Sequence, residues 1–401
     1  MSADKPHVLL VMHKVPVDSG FLAAKFIQLS AHLPVDLLVW DTKENVRKFI
    51  EKYALDKSYV KHIHIGYTKA NAILNLAKWV VCLFKSGNLR AYIINGRGNI
   101  IDRIKQTFIY LPVIYLKPDI VHFEFGTIAK NGIEIKGFTD TKISVSFRGY
   151  DLNYADAQDK NYYSKVWNEA DGFHFLGNDL KNRAIAKGYR QGKIEALIPP
   201  AIDTNIFKSN NVTKSYTKLQ LISVGRLVWK KGFEYAIRAA TILKQRGIDF
   251  EYKIIGDGNH HQALSFIIKE SGLESQVKLV GEKTQTEIIQ ALNQSHIFIH
   301  PAISEGFSNA VIEAQSMGLP VVCTDADGLS ENIKHNITGI IVPKWDEKAI
   351  ADSVVMLWSD KKLLQSMAAN GVARVQEHFT LDKQMSRFVS FYQQLYHASK
   401  D

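Results

Sequence analysis

Four charged residues in the second half of this 401-residue chain have the types and spacing to grip an anionic, hydroxyl-rich ligand. Two of them, Glu305 and Glu313, lie in HPAISEGFSNAVIEAQSMGLPVV, residues 300–322. A carboxylate accepts directed hydrogen bonds from neighbouring hydroxyls, so a pair facing one ligand suits a sugar. The pattern predicts a strand ending at His300 and Pro301, then a loop carrying Glu305 and Gly306. Ser308 or Asn309 would cap a helix with Ala310 to Met317 as its body, stopped by Gly318 and Pro320. Unpaired amides at such a helix start form a phosphate site. Against this, two glutamates at this spacing also arise by chance, and Glu313 could be an ordinary exposed helix residue.

The other two, Arg226 and Lys231, follow the apolar run LQLISV in GRLVWKKGFEYAI. Gly225 permits a tight exit from a strand and Gly232 leads into a helix. Two cations placed there could clamp a diphosphate, or with Lys230 could be solvated loop charges. IIGDGN, 254–259, gives a glycine-bracketed turn at Gly256 and Asp257 where a base or ribose could approach the backbone. VGEKTQ, 280–285, places Gly281, Glu282 and Lys283 in the same position on the next strand.

These loops need strands to carry them. Candidates in the first half are residues 7–12, 35–40, 61–65, 119–123, 142–147 and 171–176. In the second half they are 219–225, 251–256, 276–280, 296–300 and 319–324. Stretches with apolar residues at helical spacing, such as those from Phe233 and from Glu287, lie between them. Val- and Ile-rich strands without polar alternation predict parallel sheets covered on both faces. The class is therefore α/β, with two doubly wound Rossmann-like domains and ligands beyond the carboxyl ends of the strands. Pro199, Pro200 and the polar stretch to about 218 mark the boundary. The loop after Met12, with Asp18, Ser19 and Gly20, has no G-x-G-x-x-G, and no G-x-x-x-x-G-K-[ST] occurs anywhere.

Hydrophobic residues make up 46% and charged residues 22% of the chain, as in soluble globular proteins. Cys82 and Cys323 are too far apart in sequence to make a framework, which predicts a reducing, cytoplasmic setting. The apolar run Val8 to Met12 is too short for a signal peptide or a span. Charge is uneven: residues 1–200 hold 28 Lys and Arg against 19 Asp and Glu, residues 201–401 hold 22 against 21. The basic half is either a solvated surface or the footprint of an anionic partner. No recognition motif points to nucleic acid.

With these motifs in order, the chain resembles the family-4 retaining glycosyltransferases, which have the GT-B fold. Their donor domain carries G-R-L-x-x-x-K-G, a G-x-G turn, and E-G-F followed by E-A, G and P-V. Here those positions are Gly225-Arg226-Leu227, Lys231-Gly232, Gly256-Asp257-Gly258, Glu305-Gly306-Phe307, Glu313-Ala314, Gly318 and Pro320-Val321. The resemblance spans the chain but is specific only from about residue 195. It implies an acceptor-binding domain over 1–198, a nucleotide-sugar domain over 199–375, and a tail, 376–401, that returns to the first domain. The two sheets would face a central cleft.

By that resemblance Arg226 and Lys231 bind the donor diphosphate and stabilise the charge that grows as it leaves. Glu313 holds the ribose and Glu305 the transferred sugar. Backbone amides of Gly306, Phe307, Ser308, Asn309 and Ala310 contact phosphate and sugar, and Gly281 to Lys283 with the Gly256 turn flank the base. Gly20 resembles the first-strand glycine that lets the phosphate approach. Glu305, Lys231, Arg226 and His122 are the catalytic candidates. No metal or cofactor is implied beyond the substrate itself, a nucleotide-diphosphate sugar, with UDP ahead of GDP. Asp325-Ala326-Asp327 imitates a D-x-D metal motif, but it occupies a loop that the family fills with a glycine-rich turn before a glutamate, here Gly328 and Glu331.

DIVHFEFG, 119–126, keeps His122 but has Glu124 where relatives place a second histidine, and SFRGYDL, 146–152, has Arg148 in place of another. His122, Glu124, Arg148, Tyr150 and Asp151 are the acceptor-side candidates. His122 could equally be a packed strand residue. The expected partner is a glycan or lipid-linked acceptor in cell-surface polysaccharide or lipopolysaccharide synthesis, met at the inner face of the membrane. Residues 76–105 mix aromatic and aliphatic side chains with cations such as Lys78, Lys85, Arg90 and Arg97. They could touch an anionic membrane, or form helices with basic outer faces. Monomer and homodimer are both open. The other readings are a catalytically silent nucleotide-sugar binder, a nucleotide-sugar epimerase, which these motifs fit less well, and a phosphorylase, for which no pyridoxal-phosphate lysine site is recognisable.

Overall fold

The computed structural model describes residues 5–17, 19–67, 72–96, 98–155, 159, 161–209 and 216–398. Asp18, Arg97 and part of the proposed linker lie outside the described residues. The chain divides into two compact units. The first holds residues up to Leu176, Leu180–Ile198 and the tail from Met385; the second holds Gly177–Asp179 and Pro199–Gln384.

The first unit is a seven-stranded sheet. Its strands are β1 (Val8–Val11), β2 (Val35–Val39), β3 (Ile63–Ile65), β4 (Ile120–Phe123), β5 (Lys142–Phe147), β6 (Gly172–Phe175) and β7 (Ile194–Leu197). Their order is β3-β2-β1-β4-β5-β6-β7, with every pairing parallel. β1, β2, β4 and β6 are buried along their whole length, as strands covered on both faces must be. The helix Leu381–His397 belongs to this core: Phe388, Phe391, Tyr392 and Leu395 pack with Val8, Leu10, Phe26 and Leu37. Residues 376–378, expected within this tail element, instead end the preceding helix Lys361–His378.

The second unit has six parallel strands: β8 (Leu219–Val224), β9 (Phe250–Ile255), β10 (Val277–Leu279), β11 (Ile297–His300), β12 (Val321–Thr324) and β13 (Gly339–Val342). Their order is β10-β9-β8-β11-β12-β13. Leu221, Tyr252, Ile254, Ile299 and Val322 meet Ile237 and Val354 from flanking helices.

Sequence periodicity missed β7 and β13. Both lie at sheet edges, with the sequences IEAL and GIIV. In each unit the strand order reverses once, between β1 and β4 and between β8 and β11. Loops leaving the strands at such a switch diverge and open a crevice.

Candidate active site

The second unit's switch point carries the expected donor residues. β8 ends at Val224, and Gly225 to Lys231 follow, with a short 3-10 turn over Trp229–Lys231. Gly232 then adopts φ +62° and starts the helix Phe233–Gln245. A Cβ on Gly232 would stand 2.1 Å from the Pro301 carbonyl oxygen. The two switch-point loops are thus packed backbone to backbone. They are also zipped together, since the Lys230 carbonyl accepts from the amides of Ile303 at 2.8 Å and Ser304 at 3.3 Å.

The neighbouring turn is built the same way. Leu227 donates to the Asp257 carbonyl and His260 to the Leu227 carbonyl, each at 2.9 Å. Gly256, at φ +139°, leaves room for the Gly225 carbonyl only 2.0 Å from where a Cβ would sit. Its amide donates to Gly281 at 2.9 Å. Gly281, at φ +72°, faces open space, and Glu282 is exposed beside it. Lys283 is drawn to Glu287 at 2.9 Å, within a helix cap formed by Thr284 and Glu287.

Across the crevice, Lys231 Nζ donates to Glu305 Oε2. Burial alone would raise the Glu305 carboxyl, but the Lys231 ammonium and His300 override it and pull it down to about 2. His300 is fully buried, with its Nε2 3.5 Å from Glu305 Oε2. Burial, then the Lys231 charge, hold its imidazole neutral. Lys230 is held below the usual lysine range by burial, opposed by Glu305 and reinforced by Lys231 and Arg226. Arg226 is exposed, and its guanidinium has no ion pair or hydrogen bond among the described residues. Three cations crowded at one strand end with a single carboxylate between them are set to receive an anion.

The helix after Glu305 spans Asn309–Ser316, one residue earlier than expected, with Ser308 as N-cap. Ser308 makes no side-chain cap, so the first-turn amides stay open to a ligand. Buried Asn332 holds this start in place: its Oδ1 accepts from the Ser308 amide at 3.0 Å and its Nδ2 donates to the Ser308 carbonyl at 2.9 Å. Phe307 is buried, edge-on to Phe379 at 5.7 Å. Glu313 is half-buried with no hydrogen-bond partner among the described residues, and burial pushes its carboxyl up to about 7.

The D-x-D look-alike has another role. Asp325 Oδ1 accepts from the Lys344 amide at 2.9 Å, and Asp327 Oδ2 accepts from the Ser304 hydroxyl and the Glu305 amide. Both carboxylates brace loops. Lys230, His300, Asp327 and Asn332 all shape the site without having been singled out for it. Asp327 was visible only as a metal imitator, and the others had no motif to mark them.

The first unit corrects the acceptor-side expectations. His122, expected also as a catalytic group, is fully buried; its ring lies 2.8 Å from both Ser144 Oγ and Ser146 Oγ. Glu124 is equally buried, between Lys25 Nζ at 2.5 Å and Arg148 Nη2 at 2.8 Å. Burial pushes the Lys25 ammonium down to about 8, while Glu124 opposes. Ser146 continues the chain to His174 Nδ1 at 2.7 Å. Asp151 is buried and accepts from the amides of Thr127 and Arg148 at 3.0 and 2.9 Å. His122 therefore packs between β4 and β5, while Glu124 and Asp151 brace the loops that follow, and all three are buried in this structure. Arg148 is half-buried over Phe21 and Phe125, and Tyr150 is 59% exposed. Gly20 begins the helix Gly20–Leu29 with open space where a Cβ would stand.

Two doubly wound parallel domains, one with a cation-lined crevice at its switch point, define a Rossmann-like protein. The sequence pattern described as "Glycosyl transferases group 1" matches residues 204–374. The chain is 31% identical to the amylovoran biosynthesis glycosyltransferase AmsK of Erwinia amylovora, over 74% of this chain and 75% of that protein. It is 32% identical to the capsular polysaccharide biosynthesis glycosyltransferase CapM of Staphylococcus aureus, over 39% and 41%. Among solved structures, a glycosyltransferase from Rickettsia africae superposes with TM-score 0.73 at 19% identity, covering 98% of this chain and 99% of that one. Anabaena Alr3699/HepE in complex with UDP gives 0.73 at 14%, covering 97% and 100%. The chain belongs to the group 1 glycosyl transferases and has the two Rossmann-like domains of the GT-B fold.

Proposed function

We propose that this chain is a family-4-type retaining hexosyltransferase that binds a nucleotide-diphosphate sugar in its second unit. The observation that carries this reading is the Lys231–Glu305 contact at the switch point, beside Arg226 and the uncapped helix start. A departing diphosphate builds negative charge where Arg226, Lys230, Lys231 and the open amides converge. Glu305, held ionised, accepts hydrogen bonds from the sugar, and Glu313 accepts them from the ribose. The turns at Gly256 and Gly281 flank the base. The protein's own cations neutralise the leaving group, so no metal is required; the engagement of Asp325 and Asp327 with backbone amides supports this.

In the reaction the bond from the anomeric carbon to the diphosphate breaks and a bond to an acceptor hydroxyl oxygen forms on the same face. The acceptor proton passes to the departing phosphate oxygen, so no strong protein base is called for. That fits a His122 too enclosed to serve as one. The Anabaena neighbour's UDP favours UDP over GDP. The names of AmsK and CapM favour a glycan or lipid-linked acceptor in cell-surface polysaccharide assembly. The first unit takes the acceptor.

A released-nucleotide assay across UDP-, GDP- and ADP-sugars tests the donor, and NMR of the product's anomeric signal tests retention. Release from none of them, with no binding of the free nucleotides, overturns the reading. Nucleotide binding without transfer to any acceptor supports the silent-binder alternative.

A further inference from the structure

We propose that the outward face of the helix Ala72–Lys85 docks on an anionic lipid bilayer. A surface helix normally turns its apolar stripe to the core. This one is inverted. Asn75 and Cys82 are its buried residues, and Trp79 leans inward, stacked on Phe108 at 4.7 Å. Ile73, Leu74, Leu76, Val80, Val81 and Phe84 face outward, Ile73 being 87% and Phe84 81% exposed. Six large apolar side chains on one helix are an uncovered patch, which marks an interaction surface.

Charge selects the occupant. From Lys57 to Ile101 the sequence holds seven Lys and Arg and no Asp or Glu. On the helix itself Lys78 and Lys85 are exposed. Arg90, from the following helix, donates to the carbonyls of Leu83 and Phe84 at 2.8 and 2.9 Å, which pins a cation beside Phe84. Apolar projections on a stretch whose only charged residues are cations suit the boundary between acyl chains and acidic headgroups. A second copy fits worse, because a two-fold contact would set the same cation-only stretch against itself. Among the described residues no helix is long and apolar enough to cross a membrane, so the contact is interfacial.

The test is flotation of the full chain with vesicles of phosphatidylcholine, alone or with phosphatidylglycerol. The expected result is binding only to the acidic vesicles, weakened at least about tenfold by high salt. The same weakening is expected for Ile73→Ser with Phe84→Ser, and separately for Lys78→Glu with Lys85→Glu, both retaining the wild-type melting midpoint. The proposal is overturned by failure to float with acidic vesicles at low salt, or by flotation that neither double variant weakens. A dimer in sedimentation velocity that Ile73→Ser with Phe84→Ser dissolves, without vesicle binding, also overturns it and assigns the face to a second copy. No donor or turnover enters the readout, so its failure leaves the donor-site reading untouched.

Discussion

Asp327 holds Glu305 in place through the main chain: its Oδ2 accepts from the Glu305 amide at 3.1 Å while also taking the Ser304 hydroxyl at 2.6 Å. The Gly328 amide adds a bond to the Glu305 carbonyl at 3.0 Å. The carboxylate proposed to hold the sugar is therefore set by a turn one strand away. Asp327 itself sits at φ +48°, which Asn tolerates as well as Asp. Asp327→Ala should lower kcat by about tenfold or more, since small misplacements at a reacting centre cost that much. Asp327→Asn, which keeps one acceptor oxygen, should retain most activity. Equal rates in the two variants would remove Asp327 from the positioning role.

Lys231 is the counter-ion of Glu305 in this structure and, on the proposed reading, the partner of the diphosphate in the complex. Lys231→Ala should cut turnover at least about tenfold through loss of charge stabilisation. It should also let burial lift the Glu305 carboxyl from about 2. At saturating donor, kcat of the variant would then fall more steeply on acidification than that of the wild type. Glu305→Gln should lose turnover to a similar extent without acquiring that pH dependence. A steady-state pH profile of the three proteins checks this, and normal rates in both variants would sink the assignment.

The glycine turns carry the register of the donor loops. Gly256→Ala would put a methyl 2.0 Å from the Gly225 carbonyl oxygen, at a φ of +139° that L residues avoid. We expect a loss of at least about 2 kcal/mol in chemical denaturation and weaker nucleotide binding. Gly20→Ala meets open space and should leave stability nearly unchanged. Comparable losses in both would mean that close packing is not what selects glycine at 256.

These contrasts show where the sequence is readable. Apolar runs found the buried strands because such strands have no polar face to confuse the pattern. The switch-point loops of the second unit were legible because loop glycines and loop charges answer to local geometry, and Gly232 and Gly256 stand where backbones touch. The first unit misled because burial leaves no mark in a short motif. Glu124 reads as a site residue until Lys25, 99 positions earlier, is seen closing on it. Lys25 did leave a trace, a lone cation within the apolar helix GFLAAKFIQL. Nothing in Asp325-Ala326-Asp327 said that its carboxylates would face amides.

The buried pair itself can be tested. Glu124→Gln leaves Lys25 enclosed, 3% exposed, without a full counter-charge. Breaking such a pair by removing one partner typically costs about 3–5 kcal/mol. His122→Asn should cost less, as its ring is neutral, burial and then the Lys25 and Arg148 charges holding it so. Thermal melts give the ranking. If His122→Asn instead abolishes turnover in a fully stable protein, the ring acts in the reaction.

Glu313 yields the last prediction because its two linkages have opposite signs. Its folded carboxyl titrates near 7, raised by burial from an ordinary 4.5. Between those values the folded chain keeps a proton that the unfolded chain has lost, so stability falls as pH rises through the window. Glu313→Gln removes that penalty. The variant should match the wild type near pH 4 and exceed it by about 1–2 kcal/mol near pH 8, the full shift being discounted for partial exposure. The proposed ribose binding would run the other way, since two hydroxyls donate best to an ionised carboxylate. Wild-type nucleotide affinity should therefore rise from about pH 6 to about pH 8, while the variant binds weakly and without slope. Calorimetric titration at both pH values separates the effects. A flat wild-type affinity, together with a variant that binds equally well, would place the ribose elsewhere.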